Sequence, residues 1–426
     1  MDKQNEPQDE LQNEVDLEFQ QESEFSFIQE TIKDENPTPK TNRRRLLYMA
    51  VLGIVFGLCT GIGFSAIKPW AERTFQSNKT KVTIPEDKEE PEEEAEPKEE
   101  ESVGVVTEEN MQQVYDQLSK IGNGTKKSLA VITRKVEGAD WTDNDPSNEK
   151  SGLIVANNGQ ELLILVSASI QDKAESYTAT FSDGNTYDAT MKVADEHFGY
   201  SIMAVPISGV RSSTKNRLDV ATLGNSNTVK TGDVVIALGS QFGHKDDMGF
   251  GVVSSIQNTI NTVDGSYNLI TTDIPCGDDS AGVLINQQGE VVGLMNGTIS
   301  KEGNDNISNA YAISRVKSMI EMLSNGNQVP YVGIQGNDVT EEVSQEQGIP
   351  VGVYVTEVGK DSAALAAGVK SGDVFTSVNG ESVTNLKGYH NALMQYHVGD
   401  KVKIEGQRLG SDGYVDITFT VTLAQK

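Results

Sequence analysis

The sequence predicts a mainly β protein: an antiparallel barrel or sandwich, then a compact α+β module, with one transmembrane helix ahead of both. Three observations predict this. From about residue 126, apolar runs of roughly four to eight residues alternate with Gly, Asn and Asp turns. From about 329 to 426, strand-like segments are interleaved with helical ones. Ahead of both, residues 46–67 form an apolar stretch without a charged residue, and about 20 such residues suffice to cross the hydrocarbon core.

In chain order, residues 1–45 are rich in Asp, Glu, Gln and Asn and predict a disordered acidic cytoplasmic tail. Within it, Phe25, Phe27 and Ile28 are either stray apolar residues or a short docking peptide. Arg43, Arg44 and Arg45 precede the apolar stretch, whereas only Lys68 and Arg73 follow closely. The positive-inside rule therefore keeps the tail in the cytoplasm and places the rest outside. A signal peptide is the rival reading, but the run is too long and starts too far from residue 1. Gly53, Gly57 and Gly61 form a small-residue face that either packs two spans together or simply reflects how common glycine is in spans. Residues 68–103 read as an acidic extended linker, because the run at 86–102 repels itself and contains prolines.

Composition excludes whole classes of function. The net charge of −28 repels nucleic acid phosphates, so no DNA or RNA partner is expected. The two cysteines, Cys59 and Cys276, lie in unlike surroundings and offer neither a disulfide framework nor a zinc ligand set. His197, His244, His390 and His397 have no metal-ligand spacing. No metal and no cofactor is predicted.

The first outer region spans 104–326. Residues 107–121 read as an amphipathic helix or arm, and Ser314–Leu323 as a closing helix. Between them, Asn158-Gly159, Asp183-Gly184 and Gln288-Gly289 sit where tight hairpin turns belong. The second region spans 327–426. It holds the strand-like YVGIQG and GVYVTEV, a helical NLKGYHNALMQY, and two closing strands, KVKIEGQRL and YVDITFTVTL.

Several of these segments resemble the HtrA family of serine proteases. The run at 221–243, ATLGNSNTVKTGDVVIALGSQFG, is similar to the segment that joins the family's two barrels. Residues 269–294, LITTDIPCGDDSAGVLINQQGEVVGL, resemble its nucleophile loop, in which Thr-Asp precedes Gly-Asn-Ser-Gly-Gly-Pro. Residues 329–383 closely resemble its PDZ domain. The resemblance implies a chymotrypsin-like double β-barrel followed by an α+β PDZ domain, in the membrane-anchored, DegS-like layout. It also implies that Tyr331-Val332-Gly333-Ile334 is the peptide-binding loop. In such a loop backbone N–H groups hold a C-terminal carboxylate, and the next strand pairs with the peptide. A buried strand start is the alternative for these four residues.

Acyl transfer by serine needs a base for the hydroxyl proton, an acid to orient that base, and donors for the oxyanion. Ser280, in Gly277-Asp278-Asp279-Ser280-Ala281-Gly282, matches the nucleophile position. At the end of LLILVSASI the histidine position holds Ser169, and in Phe198-Gly199-Tyr200-Ser201-Ile202 the aspartate position holds Gly199. Asp278 replaces a glycine beside the expected oxyanion site. A substitute base from His197 or His244, or a thiol nucleophile at Cys276, is the alternative to a lost activity.

The resemblance thus implies a pseudoprotease in envelope protein quality control. Its partners would be unfolded or C-terminal peptide segments of membrane or secreted proteins, and residues 104–125 would build a homotrimer. An active serine endopeptidase with a non-standard base is the other reading, and a sensor role for the cytoplasmic tail a third.

Overall fold

The computed structural model describes residues 79–87, 107–136, 148–171, 174–240, 246–277, 280–296, 299 and 307–425. The predicted tail, the apolar stretch at 46–67, Asp278 and His244 lie outside the described residues.

The first sheet is a closed barrel of β1 (Leu129–Val136), β2 (Glu149–Asn157), β3 (Glu161–Ser167), β4 (Ala174–Phe181), β5 (Thr186–Asp195) and β6 (Tyr200–Pro206), in the order β1-β2-β3-β6-β5-β4. The second contains β7 (Val234–Gly239), β8 (Asp247–Ser255), β9 (Thr259–Thr262), β10 (Gly265–Pro275), β11 (Ala281–Ile285), β12 (Val291–Asn296) and β13 (Ile307–Ala312). Pairing of β13 with β10 closes this sheet too, and β9 stands outside the ring as half of a hairpin with β10. The predicted turns at 158–159, 183–184 and 288–289 fall between β2 and β3, β4 and β5, and β11 and β12, each with its glycine at positive φ.

Two barrels side by side explain the continuous apolar runs. In β3, Leu162, Ile164 and Val166 fill the first barrel, while Leu163 and Leu165 point into the layer between barrels. In β7, Val235 and Ala237 fill the second barrel, while Ile236 and Leu238 enter the shared layer. Strands covered on both faces lose the polar half of the usual alternation. Each such Leu or Ile stabilises the fold by roughly 1.5–3 kcal/mol relative to exposure.

Helix α1 (Glu108–Thr125) is capped by Thr107, whose hydroxyl accepts from the Asn110 N–H. It precedes the first barrel, and one short helical turn, α2 (Ser212–Lys215), follows β6. After β13, α3 (Lys317–Ser324) buries Met319, Ile320 and Leu323 against the layer between barrels. Residues 79–87, predicted as part of an extended linker, lie along this helix as a strap. Asn325 grips the strap in both directions: its side chain accepts from the Val82 N–H (3.0 Å) and donates to the Val82 carbonyl (2.9 Å). Glu321 accepts from the Ile84 N–H, Asp87 pairs with Lys317 at 2.8 Å, and Lys79 pairs with Glu161 at 2.9 Å.

The third sheet holds β14 (Ile334–Val339), β15 (Gly352–Val358), β16 (Val374–Val378), β17 (Glu381–Ser382), β18 (Lys401–Gly410) and β19 (Gly413–Thr422), in the order β14-β15-β16-β18-β19 with β17 beside β16. Two short helices, α4 (Glu341–Gln347) and α5 (Ala363–Ala366), flank β15, and α6 (Leu386–Leu393) packs Tyr389 and Leu393 against Phe375 and Val402. This is the compact α+β module predicted for the last region. Strand β14 is an edge of its sheet. Among the described residues no helix is long and apolar enough to cross a membrane.

Candidate functional site

Ser280 stands at the mouth of β11, and close backbone contact holds it there. A side chain on Gly282 would come within 2.2 Å of the Leu238 carbonyl oxygen, so β7 and β11 meet as bare backbone. Ser240 donates both its N–H (2.7 Å) and its hydroxyl (3.1 Å) to the Ala281 carbonyl. Ser280 itself is buried, and its N–H donates to the Gly277 carbonyl at 3.1 Å. In a working acyl-transfer site the nucleophile's own N–H helps to bind the oxyanion. Here that donor is committed to a tight turn.

Ser169, expected at the histidine position, is exposed in the single helical turn after β3. Its hydroxyl lies 3.1 Å from that of Ser167, and its carbonyl accepts from the Arg134 guanidinium at 3.2 Å. Gly199, expected at the aspartate position, has φ +79°, and its carbonyl accepts from the Ala168 N–H at 2.9 Å. A Cβ there would meet the Asn296 side-chain nitrogen at 3.0 Å, and Asn296 is the cross-strand partner of Ala281. Ser167, Tyr200 and Ala281 line one crevice between the barrels. The strand end before Ser169, the residue after Gly199 and the residue after Ser280 therefore gather at one barrel junction.

The described histidines and the cysteine are engaged elsewhere. The His197 ring lies 4.8 Å from the Tyr331 ring, at the start of the third domain. His390 is buried on α6, and its Nδ1 lies 3.2 Å from the Asp264 carbonyl oxygen. A carbonyl only accepts, so Nδ1 carries the proton, and burial lowers the imidazole pKa to about 4. His397 is exposed and faces Asp400. The Cys276 thiol donates to the Ile307 carbonyl at 3.2 Å. Among the described residues no histidine is bonded to the Ser280 hydroxyl, and acyl transfer calls for such a base.

The peptide-loop residues form a second, denser cluster. The Tyr331 side chain belongs to the layer between barrels, and its hydroxyl donates to Asp195 at 2.6 Å. Val332 and Ile334 are buried in the core of the third domain. Gly333 has φ +93°, and a Cβ there would sit 2.4 Å from the Ser362 Cβ. The N–H groups of Val332 and Gly333 donate to one oxygen of Asp264 at 2.8 and 2.7 Å, and that of Ile334 to the other at 3.0 Å. The Tyr389 hydroxyl adds a fourth donor at 3.1 Å. Burial pushes the Asp264 carboxyl above the usual carboxylate range, against the pull of these donors.

Sequence reasoning missed Asp264, Asp195, Asn296 and Tyr389. Asp264-Gly265 carries only the signature of one more hairpin turn.

Comparisons with known proteins fit this geometry. The trypsin-like peptidase domain family matches residues 150–294, and the PDZ domain family residues 330–423. The serine protease Do-like HtrB of Bacillus subtilis (strain 168) is 28% identical over 289 residues, 63% of this chain and 62% of that protein. The periplasmic pH-dependent serine endoprotease DegQ of Escherichia coli (strain K12) is 24% identical over 276 residues, 63% of this chain and 58% of its own length. The chain thus spans about 60% of the length of these curated relatives. Among solved structures, the HtrA-type protease AlgW with decapeptide shares the fold, with a TM-score of 0.51 at 19% identity over 72% of this chain and 99% of that one.

Proposed function

We propose, for a chain that belongs to the HtrA type of trypsin-like peptidase domain followed by a PDZ domain, that it is a pseudoprotease that captures peptides. Its PDZ domain (327–426) binds C-terminal or unfolded segments of membrane or secreted proteins, and its peptidase-like domain (104–326) is a scaffold. The observation that carries the reading is the pairing of Ser280 with Ser169 and Gly199, where acyl transfer calls for an imidazole and a carboxylate. The commitment of the Ser280 N–H to Gly277 supports it further, because it removes an oxyanion donor. Loss of a triad member alone costs about 10⁴–10⁶ in turnover.

The apolar stretch at 46–67 and the arginines at 43–45 support a single span with the folded domains outside the cell membrane, in envelope protein quality control. Met111, Val114 and Tyr115 are exposed along α1, which supports assembly, with a homotrimer as the expected form.

The second reading, an active serine endopeptidase, draws on the retained Ser280 and on relatives that are serine proteases. One experiment separates the two. The full chain is incubated with unfolded casein and with a fluorophosphonate probe, beside Ser280→Ala. The pseudoprotease reading expects neither cleavage nor labelling above the variant; labelling that Ser280→Ala abolishes would overturn it.

A further inference from the structure

The PDZ loop already holds a carboxylate. The β9–β10 hairpin of the peptidase-like domain turns at Val263-Asp264, with Asp264 at φ +57°, and drives that side chain into the loop until 2% of the residue remains exposed. The contacts follow the pattern of a bound chain terminus. Three consecutive backbone N–H groups, from Val332, Gly333 and Ile334, converge on the two carboxylate oxygens at 2.7–3.0 Å. The Asp264 N–H donates back to the Ile334 carbonyl at 2.8 Å, as the last residue of a peptide laid along β14 does in strand addition. Alongside, the Asn261 side chain on β9 reaches the Gly336 carbonyl (3.4 Å) and the Asn337 side chain (3.1 Å) on the free edge of β14. Tyr389 and His390 close over the turn from α6. The remaining N–H of the loop, that of Tyr331, donates to the Ala424 carbonyl.

We infer that Asp264 is a built-in competitor for the PDZ loop: its side-chain carboxylate imitates a C-terminus, and a peptide gains the loop only when the β9–β10 hairpin withdraws. The inference rests on the peptide-binding reading above and adds the regulation of that same site. Two arrangements are open to the loop, and they exclude each other. One carboxylate fills the three donors, so a second carboxylate has no unspent N–H to accept from. A tethered competitor acts at high effective concentration, so the apparent affinity for a free peptide falls by the fraction of molecules in the open state. A domain that is open in one molecule out of ten binds about tenfold more weakly than its released form.

The test uses the full chain and a library of ten-residue peptides that covers all twenty C-terminal residues, each made with a free carboxylate and as an amide. Wild type is compared with Asp264→Asn, which tolerates the left-handed turn but removes the charge, and with Asp264→Gly, which removes the side chain. The expected result is at least tenfold tighter binding of free-carboxylate peptides by both variants, with the amides not captured. If wild type binds as tightly as the variants, the competitor role is wrong and the peptide-binding reading stands. If no peptide binds any of the three proteins, the peptide-binding reading falls and takes this inference with it. A measurement on wild type alone guards against misfolded variants. Hydrogen exchange at the Asp264 amide should quicken when the tightest library peptide saturates the chain; an amide that stays protected in the saturated complex overturns the inference.

Discussion

The hydroxyl of Tyr331 ties the first residue of the PDZ loop to the peptidase-like domain, so Tyr331→Phe removes one oxygen from the joint and leaves the ring in place. The bond to Asp195 is 2.6 Å long, and Asp195 is 3% exposed. The Phe198 N–H donates to the same carboxylate at 2.7 Å, and the His197 backbone N–H also favours its anion. Burial and the Asp195 charge push the Tyr331 phenol far above its usual range, so it remains a donor. A hydrogen bond to a charged partner contributes about 1.5–3 kcal/mol, and a buried carboxylate left short of a donor incurs a similar loss. We therefore expect Tyr331→Phe to cost about 2 kcal/mol. At the low end of the usual conversion for a large unit, that is a fall in Tm of roughly 4 °C. The sign of the pH dependence also follows. Burial already raises the Asp195 pKa despite its donors, and loss of one donor raises it further. The penalty falls on the anion, so it shrinks as pH drops and the carboxyl is protonated. The assay is thermal unfolding of wild type, Tyr331→Phe, Asp195→Asn and the double variant, near neutral pH and again in mild acid. An interaction term below about 0.5 kcal/mol, the scatter expected of independent sites, would refute the reasoning.

Two further outcomes can be measured by the same means. His390 is buried with its pKa lowered to about 4 from 6.5, so its neutral form stabilises the fold fully above 6.5, and that contribution is lost as pH falls toward 4. The loss is at most roughly 3 kcal/mol. The titratable residues it meets are Asp264, through its carbonyl, and Tyr267, ring to ring; Tyr389 precedes it on α6 and donates to Asp264. Asp264, with its raised pKa, has the opposite sign and favours the fold as pH falls. Comparison with His390→Gln isolates the imidazole: wild type should lose stability more steeply between pH 6.5 and 4, and equal slopes would contradict the assignment. In the PDZ domain, Arg408 grips the buried Asp373 through two nitrogens, at 2.6 and 2.8 Å. Arg408→Met strands that carboxylate and should cost about 2 kcal/mol, below the 3–5 typical of a fully buried pair because the guanidinium is part-exposed. An unchanged urea midpoint would speak against it.

What could be read in advance follows from the range of each signal. The run at β3 is apolar on both faces because it faces two cores, and that doubled pattern is visible residue by residue. The turns at Gly159, Gly184 and Gly289 were legible because each needs positive φ at one residue, and that residue is glycine. Ser280, Ser169 and Gly199 were assigned through resemblance to the family's motifs, each carried by a few neighbouring residues. Asp264 could not: its role depends on Gly333, some seventy residues away, and nothing local separates a solvent-facing turn aspartate from one that plugs another domain. Asp195 is the same case, with its partner Tyr331 136 residues distant. The strap at 79–87 was also hidden, because its anchors Asn325, Glu321 and Lys317 lie 243, 237 and 230 residues away from their partners.

That strap changes how the molecule would bear mechanical load. Chain entering at residue 79 is clasped at Lys79, Val82, Ile84 and Asp87. A pull from upstream therefore enters through the side of the peptidase-like domain and must shear the amide clasp of Asn325 and the Lys317–Asp87 pair.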